Sequence, residues 1–199
     1  MTEHGRPAVY LDRDGTVVAE RHYLSDPDGL ELVPGALGAL AALRDAGYAL
    51  VVVTNQSGIA RGLYTEADYR AVADRLGSVL AAADLFLDGS YHCPHHPDVT
   101  GPCACRKPST GMYLQAAAEL DLAPERSWYV GDKITDVLPA LALRGRGILV
   151  RTGYGLEHEA SLPDGVVVVD DLGAAARYIL RQDARGGGSA PPSAGEGRR

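Results

Sequence analysis

The sequence predicts an α/β protein: a doubly wound parallel sheet with helices on both faces. Short apolar runs alternate with helical stretches through most of the 199 residues, and such alternation buries a parallel sheet between two helical layers. Three of the runs also end in polar, chemically capable residues, "YLDRDGT", "VVVTNQSG" and "WYVGDK". In open α/β sheets ligands gather at the carboxyl ends of the strands.

In order along the chain, "AVYLD" (8–12) is a buried strand ending in an acid. "PGALGALAALRDAGYALVVVTN" reads as a helix, a turn at Gly47 and a continuous apolar strand. "TEADYRAVADRLGSVLAAA" is a periodic helix with Thr65 as its N-cap. "LDGSYHCP" is a third strand and "TGMYLQAAAELDL" a helix. "SWYVGD" is a strand, and "DVLPALALRG" a helix despite Pro139. "GILVRTG" and "VVVVDD" add two strands, and "LGAAARYILRQ" closes the fold as a helix. Residues 1–183 form the domain. Residues 184–199, rich in Gly, Pro and Ser, read as a disordered tail.

A chain that is 46% hydrophobic and 23% charged is a soluble globular protein. Its net charge of -7 argues against a nucleic-acid-binding surface, which is normally basic. No apolar run approaches the ~18 residues of a membrane span, and the N-terminus lacks the apolar core of a signal peptide. Three cysteines, an odd count without secretory context, point to a reducing compartment, the cytoplasm. A monomer is expected. Arginine greatly outnumbers lysine. The only lysines are Lys107 and Lys133 and the only asparagine is Asn55, and all three fall inside the polar segments discussed next.

In "LDRDGT", Asp12 and Asp14 share a strand end, where Gly15 permits the chain to turn. Two carboxylates at one mouth repel unless a cation sits between them or one carries a proton. The stretch "HCPHHPDVTGPCACRKP" (92–108) holds all three cysteines and three of the six histidines, directly before Arg106 and Lys107.

"DRDGT", "TNQSG", "CRKP" and "GDKITD", in this order and spacing, resemble the four motifs of the haloacid dehalogenase-like phosphatases. Through "LDRDGT", "VVVTNQSGIARG", "CPHHP…CxCRKP" and "GDK" the likeness is closer to the branch holding the heptose bisphosphate and histidinol-phosphate phosphatases. It spans about residues 7 to 180. The resemblance implies that Asp12 attacks phosphorus to form an aspartyl phosphate. Asp14 then acts as general acid and base. Mg²⁺ would be held by the Asp12 carboxylate, the Asp14 carbonyl and Asp132, all hard oxygen ligands. Thr54 and Asn55 would donate to the transferring phosphoryl group, with Gln56 and Ser57 beside them, and Lys107 would add a charge there. Lys133 would be a further phosphate contact, and Asp136 would steady the metal site or Lys133.

Cys93, His95, Cys103 and Cys105 offer a Cys₃His set suited to tetrahedral Zn²⁺. His96 or His92 would be a substitute fourth ligand, and the family pattern favours His95. A closed set of four makes the zinc structural, pinning a small zinc-binding loop that delivers Arg106 and Lys107. Between the motifs there is no room for a large cap domain, so surface loops would choose the substrate: Glu20, Arg21, His22 and Tyr23, with Arg61 and Arg106. The resemblance implies a phosphorylated sugar, D-glycero-D-manno-heptose 1,7-bisphosphate losing its 7-phosphate. Histidinol phosphate and the 3′-phosphate of a nucleic acid are the rival substrates, and a non-enzymatic zinc-binding adaptor is the remaining alternative.

Overall fold

The computed structural model describes residues 5–186. The strands are β1 (Ala8–Leu11), β2 (Ala49–Asn55), β3 (Gly89–Cys93), β4 (Trp128–Gly131), β5 (Arg146–Val150) and β6 (Val167–Val169). They form one sheet in the order β3-β2-β1-β4-β5-β6, and every neighbouring pair is parallel. The helices are α1 (Ala36–Asp45), α2 (Glu66–Ala81), α3 (Pro97–Thr100), α4 (Gly111–Leu120), α5 (Ile134–Ala142), α6 (Gly155–His158) and α7 (Leu172–Gly186).

Successive strand side chains point to opposite faces, and the core divides accordingly. Val9 and Leu11 of β1, Leu50 of β2, Trp128 and Val130 of β4, and Ile148 and Val150 of β5 pack with Leu40, Leu43, Val72, Leu76, Leu172 and Ile179 from α1, α2 and α7. On the other face Ala8, Tyr10, Ala49, Val51, Val53 and Tyr129 meet Met112, Tyr113 and Ala116 of α4 and Ala140 of α5. The strands are apolar throughout because both faces are covered. The expected doubly wound sheet is therefore present, and no inserted domain interrupts the described residues.

Thr65 caps α2 through a capping box. Its hydroxyl accepts from the Asp68 N–H at 3.2 Å, and the Asp68 carboxylate accepts from the Thr65 N–H at 2.7 Å. Pro139 lies inside α5 as expected. Two short helices, α3 within the cysteine loop and α6 after β5, were too short to leave a periodic signal. The closing helix crosses the expected domain boundary at residue 183 and continues to Gly186. The remainder of the expected tail lies outside the described residues.

Strand order places the chemistry. The sheet winds outward in both directions from β1 and β4, so the topological switch point lies between them. Asp12 directly follows β1, Asp132 directly follows β4, and Thr54 and Asn55 end β2.

Candidate active site

Asp12, Asp132 and Asp136 are buried together, each offering an oxygen within 4.8 Å of the others. Lys107 reaches them from the cysteine loop. Its ammonium donates to Asp12 Oδ1 at 2.6 Å and to the Val53 carbonyl at 2.7 Å, and it lies 2.8 Å from Asp136 Oδ1. Burial alone would lower the Lys107 pKa, but Asp12 and Asp136 outweigh it and hold the lysine charged. Asp136 thus braces Lys107, and it accepts only the backbone N–H of Lys133, at 2.9 Å. It also lies with Asp12 and Asp132 in the cluster that could hold a metal, and its bond to Lys133 is the other contact the sequence suggested.

Three carboxylates against Lys107, with Lys133 4.0 Å from Asp132 Oδ1, still leave an uncompensated negative charge. Burial, with Asp12 and Asp136 close by, pushes Asp132 up to about 8. Its Oδ1 is buried without a hydrogen-bond partner. A buried, unpartnered carboxylate oxygen among other acids is the environment a hard divalent cation satisfies, so Asp12 and Asp132 fit the Mg²⁺ role the resemblance implies. The chain makes room for this arrangement at Gly15. It adopts φ 84, and a Cβ there would stand 2.3 Å from Asp132 Oδ2.

The Asp14 side chain turns away from that cluster. Arg13 Nε donates to both of its oxygens at 3.1 Å, and Gln56 Nε2 donates to Oδ2 at 2.9 Å. Burial raises the Asp14 pKa against the pull of Arg13, which favours the protonated acid its expected role needs. Gln56 also donates to Thr54 Oγ1 at 2.8 Å and accepts from the Tyr64 hydroxyl at 2.5 Å. Asn55 makes a reciprocal pair with the Lys107 backbone, accepting its N–H at 3.0 Å and donating to its carbonyl at 3.2 Å. The one asparagine therefore fixes the residue that carries the buried lysine.

These groups lie at the base of an open cleft of about 530 Å³. Of the expected site residues, Asp14, Glu20, His22, Tyr23, Asn55, Gln56, Ser57, Arg106, Lys107 and Lys133 line it, while Asp12, Thr54 and Asp132 are buried beneath. Arg21 is not brought to the cleft. It pairs with Glu31 and lines a separate depression. Arg61 binds the Tyr23 hydroxyl at 3.0 Å and His96 Nε2 at 2.6 Å, so it supports the rim from behind. Arg106 donates to the His95 carbonyl at 3.1 Å, which ties the cleft wall to the cysteine loop. Sequence reasoning missed Arg13, Tyr64 and Tyr154. Arg13 stood between the two aspartates it was read with. The other two carry no motif signal.

In the cysteine loop, Cys93, Cys103, Cys105 and His95 Nδ1 converge. Five of their pairwise separations are 3.1, 3.2, 3.4, 3.6 and 3.6 Å. Zn–S bonds of ~2.3 Å in a tetrahedron give edges of about 3.8 Å, so the four residues, slightly closer together than that, fit a closed Zn²⁺ site. His95 is the histidine that points inward. His96 Nδ1 accepts from the Asp98 N–H at 3.3 Å, and His92 pairs with Glu66 at 3.0 Å and stacks on Tyr69.

Comparison with known proteins agrees with this geometry. The "HAD-hyrolase-like" family model matches residues 104–175. The D-glycero-beta-D-manno-heptose-1,7-bisphosphate 7-phosphatase of Photorhabdus laumondii is 42% identical over 174 residues, covering 84% of this chain and 92% of the relative. The enzyme of the same name from Escherichia coli K12 is 44% identical over 160 residues, 77% of this chain and 84% of the relative. Among solved structures, the D,D-heptose 1.7-bisphosphate phosphatase from B. bronchiseptica, complexed with magnesium and phosphate, superposes with a TM-score of 0.81 at 37% identity, covering 89% of this chain and 99% of that one. The carboxylate cluster, its buried lysine, the Cys₃His loop and these relatives together show that the chain belongs to the haloacid dehalogenase-like phosphatases, in the family of the D-glycero-D-manno-heptose-1,7-bisphosphate 7-phosphatases.

Proposed function

We propose that the chain is a Mg²⁺-dependent phosphatase that removes the 7-phosphate of D-glycero-D-manno-heptose 1,7-bisphosphate through an aspartyl-phosphate intermediate. The observation that carries the reading is the buried Asp12–Lys107–Asp136 arrangement beside the unpartnered oxygen of Asp132, together with relatives of that name across most of the chain.

Asp12 is the nucleophile: the Lys107 ammonium donates to its Oδ1 at 2.6 Å and orients the carboxylate. Asp14, whose pKa burial raises against the pull of Arg13, protonates the leaving sugar oxygen as the P–O bond breaks. It then takes a proton from the water that hydrolyses the Asp12 acyl phosphate. Thr54, Asn55 and the Lys107 charge stabilise the transferring phosphoryl group. Asp12, the Asp14 carbonyl and Asp132 would hold Mg²⁺, which would neutralise charge between the anionic nucleophile and the anionic phosphate. Cys93, His95, Cys103 and Cys105 would hold a structural zinc that keeps Arg106 and Lys107 in place, and Arg106, His22, Tyr23 and Lys133 read the rest of the sugar. The enzyme works as a cytoplasmic monomer on a small phosphorylated sugar and not on nucleic acid, consistent with its net charge of -7. Among the described residues no helix is long and apolar enough to cross a membrane.

The test is a phosphate-release assay over heptose 1,7-bisphosphate, histidinol phosphate and a 3′-phosphorylated oligonucleotide with Mg²⁺. The reading requires the highest kcat/KM on the bisphosphate and loss of turnover with EDTA. A preference for histidinol phosphate would overturn the substrate and leave the mechanism standing.

A further inference from the structure

The cleft has two flanks fixed by strand order. Arg106 arrives from the loop after β3, at one edge of the sheet. The opposite flank is built by the segment after β5, on the far side of β4. Nothing in the family motifs assigns that second flank a role. Its central residue is Tyr154, which makes three separate connections. Its backbone N–H donates to Asp132 Oδ2 at 2.8 Å. Its ring faces the Lys133 ammonium, 4.6 Å from the ring centroid. Its hydroxyl shares a hydrogen bond of 3.0 Å with His22 Nδ1.

That last contact matters because of the backbone it holds. His22 and Tyr23 are consecutive non-glycine residues in the left-handed region, at φ 50 and φ 68. Such residues persist only where surrounding contacts over-determine them, and they concentrate at ligand clamps. The contacts are present. Glu20 accepts the His22 N–H at 2.8 Å and lies 3.5 Å from Lys133, Arg61 binds the Tyr23 hydroxyl at 3.0 Å, and Tyr154 binds the His22 ring. The Glu20–Tyr23 loop is thus tied across the cleft to the β5 flank by a single side chain, which also seats the second lysine of the protein.

We infer that Tyr154 is a specificity-determining positioning residue: through His22 and Lys133 it holds the flank that reads the sugar portion of a phosphorylated substrate, remote from the phosphorus being attacked. This rests on the reading of the site given under Proposed function. A substrate with a sugar to hold uses the tie, and a small aryl phosphate uses it much less. Side-chain replacement leaves the backbone N–H on Asp132, so the carboxylate cluster keeps its partner.

The test is steady-state kinetics of Tyr154→Phe, His22→Ala and the double variant on heptose 1,7-bisphosphate and on p-nitrophenyl phosphate, with thermal melts to verify folding. Tyr154→Phe keeps the ring under Lys133 and removes only the hydroxyl. The expected result is a rise in KM for the bisphosphate of roughly three- to tenfold, the size of one lost hydrogen bond, with kcat changed less than KM and a smaller effect on p-nitrophenyl phosphate. The double variant should be no worse than His22→Ala alone, because both changes remove the same tie. Independent, multiplying effects, or equal losses on both substrates, would overturn the inference. If the wild type prefers another sugar phosphate, the substrate reading fails, and the same cycle on the preferred substrate still decides the role of Tyr154.

Discussion

At the scale of single residues, the site depends on how buried charges compensate one another. Asp12→Asn keeps the shape and removes the nucleophile, so kcat should fall by about a thousandfold or more, at least ~4 kcal/mol of transition-state stabilisation. A variant within tenfold of wild type would remove Asp12 from its role. Lys107→Ala should be worse for the fold. It strips the cation from between Asp12 and Asp136, and breaking a buried pair from one side costs about 3–5 kcal/mol. Loss of turnover with an unchanged melting temperature would contradict that account. The motif residues themselves were legible in the sequence, because acids, lysine and asparagine at strand ends have few bland explanations. Their partners were not. That Asn55 binds the Lys107 backbone, that Asp136 braces Lys107, and that Arg13 and Gln56 hold Asp14 are contacts between residues up to 52 positions apart, or rotamer choices between near neighbours. Residue type and spacing do not encode them.

At the scale of elements, the strands and the long helices could be read because period and punctuation agree. Thr65 is the clearest case. Its hydroxyl and the Asp68 carboxylate satisfy two helix-end donors, and Thr65→Ala should lower stability by about 1 kcal/mol. A melt unchanged by this substitution would mean α2 is held by packing alone. Helices α3 and α6, four residues each, could not be read, since one turn has no period. The cysteine loop was read from composition, not from period. Its three sulfurs and His95 are placed where one ion could join them, so metal binding would add to its order. Cys105→Ser should lower both bound zinc, measured by elemental analysis, and turnover, since Arg106 and Lys107 follow directly on the ligand. Wild-type protein purified without chelator and carrying no zinc would refute the site.

At the scale of the whole molecule, metal and pH act together. Free of metal, Asp132 titrates near 8 in the folded chain against 3.8 for the ordinary carboxylate. The folded state therefore binds more protons across that window, and deprotonating Asp132 costs it stability as pH rises from about 4 to about 8. Mg²⁺ needs the deprotonated acid, so its stabilising effect should grow over the same range. A thermal shift with Mg²⁺ that is no larger at pH 8 than at pH 6 would contradict this. The sheet order has a further consequence. The chemistry comes from the ends of strands far apart in sequence, so neither half of the chain holds a complete site, and activity must return only when the parallel sheet is complete. The single tryptophan, Trp128, sits buried at the start of β4, between the Arg146 guanidinium and the edge of Tyr178. Its indole is at the opposite end of the strand from Asp132 and reports on the same central strand without touching the catalytic end. It is a built-in optical probe: in refolding, its fluorescence change and the recovery of turnover should follow one time course.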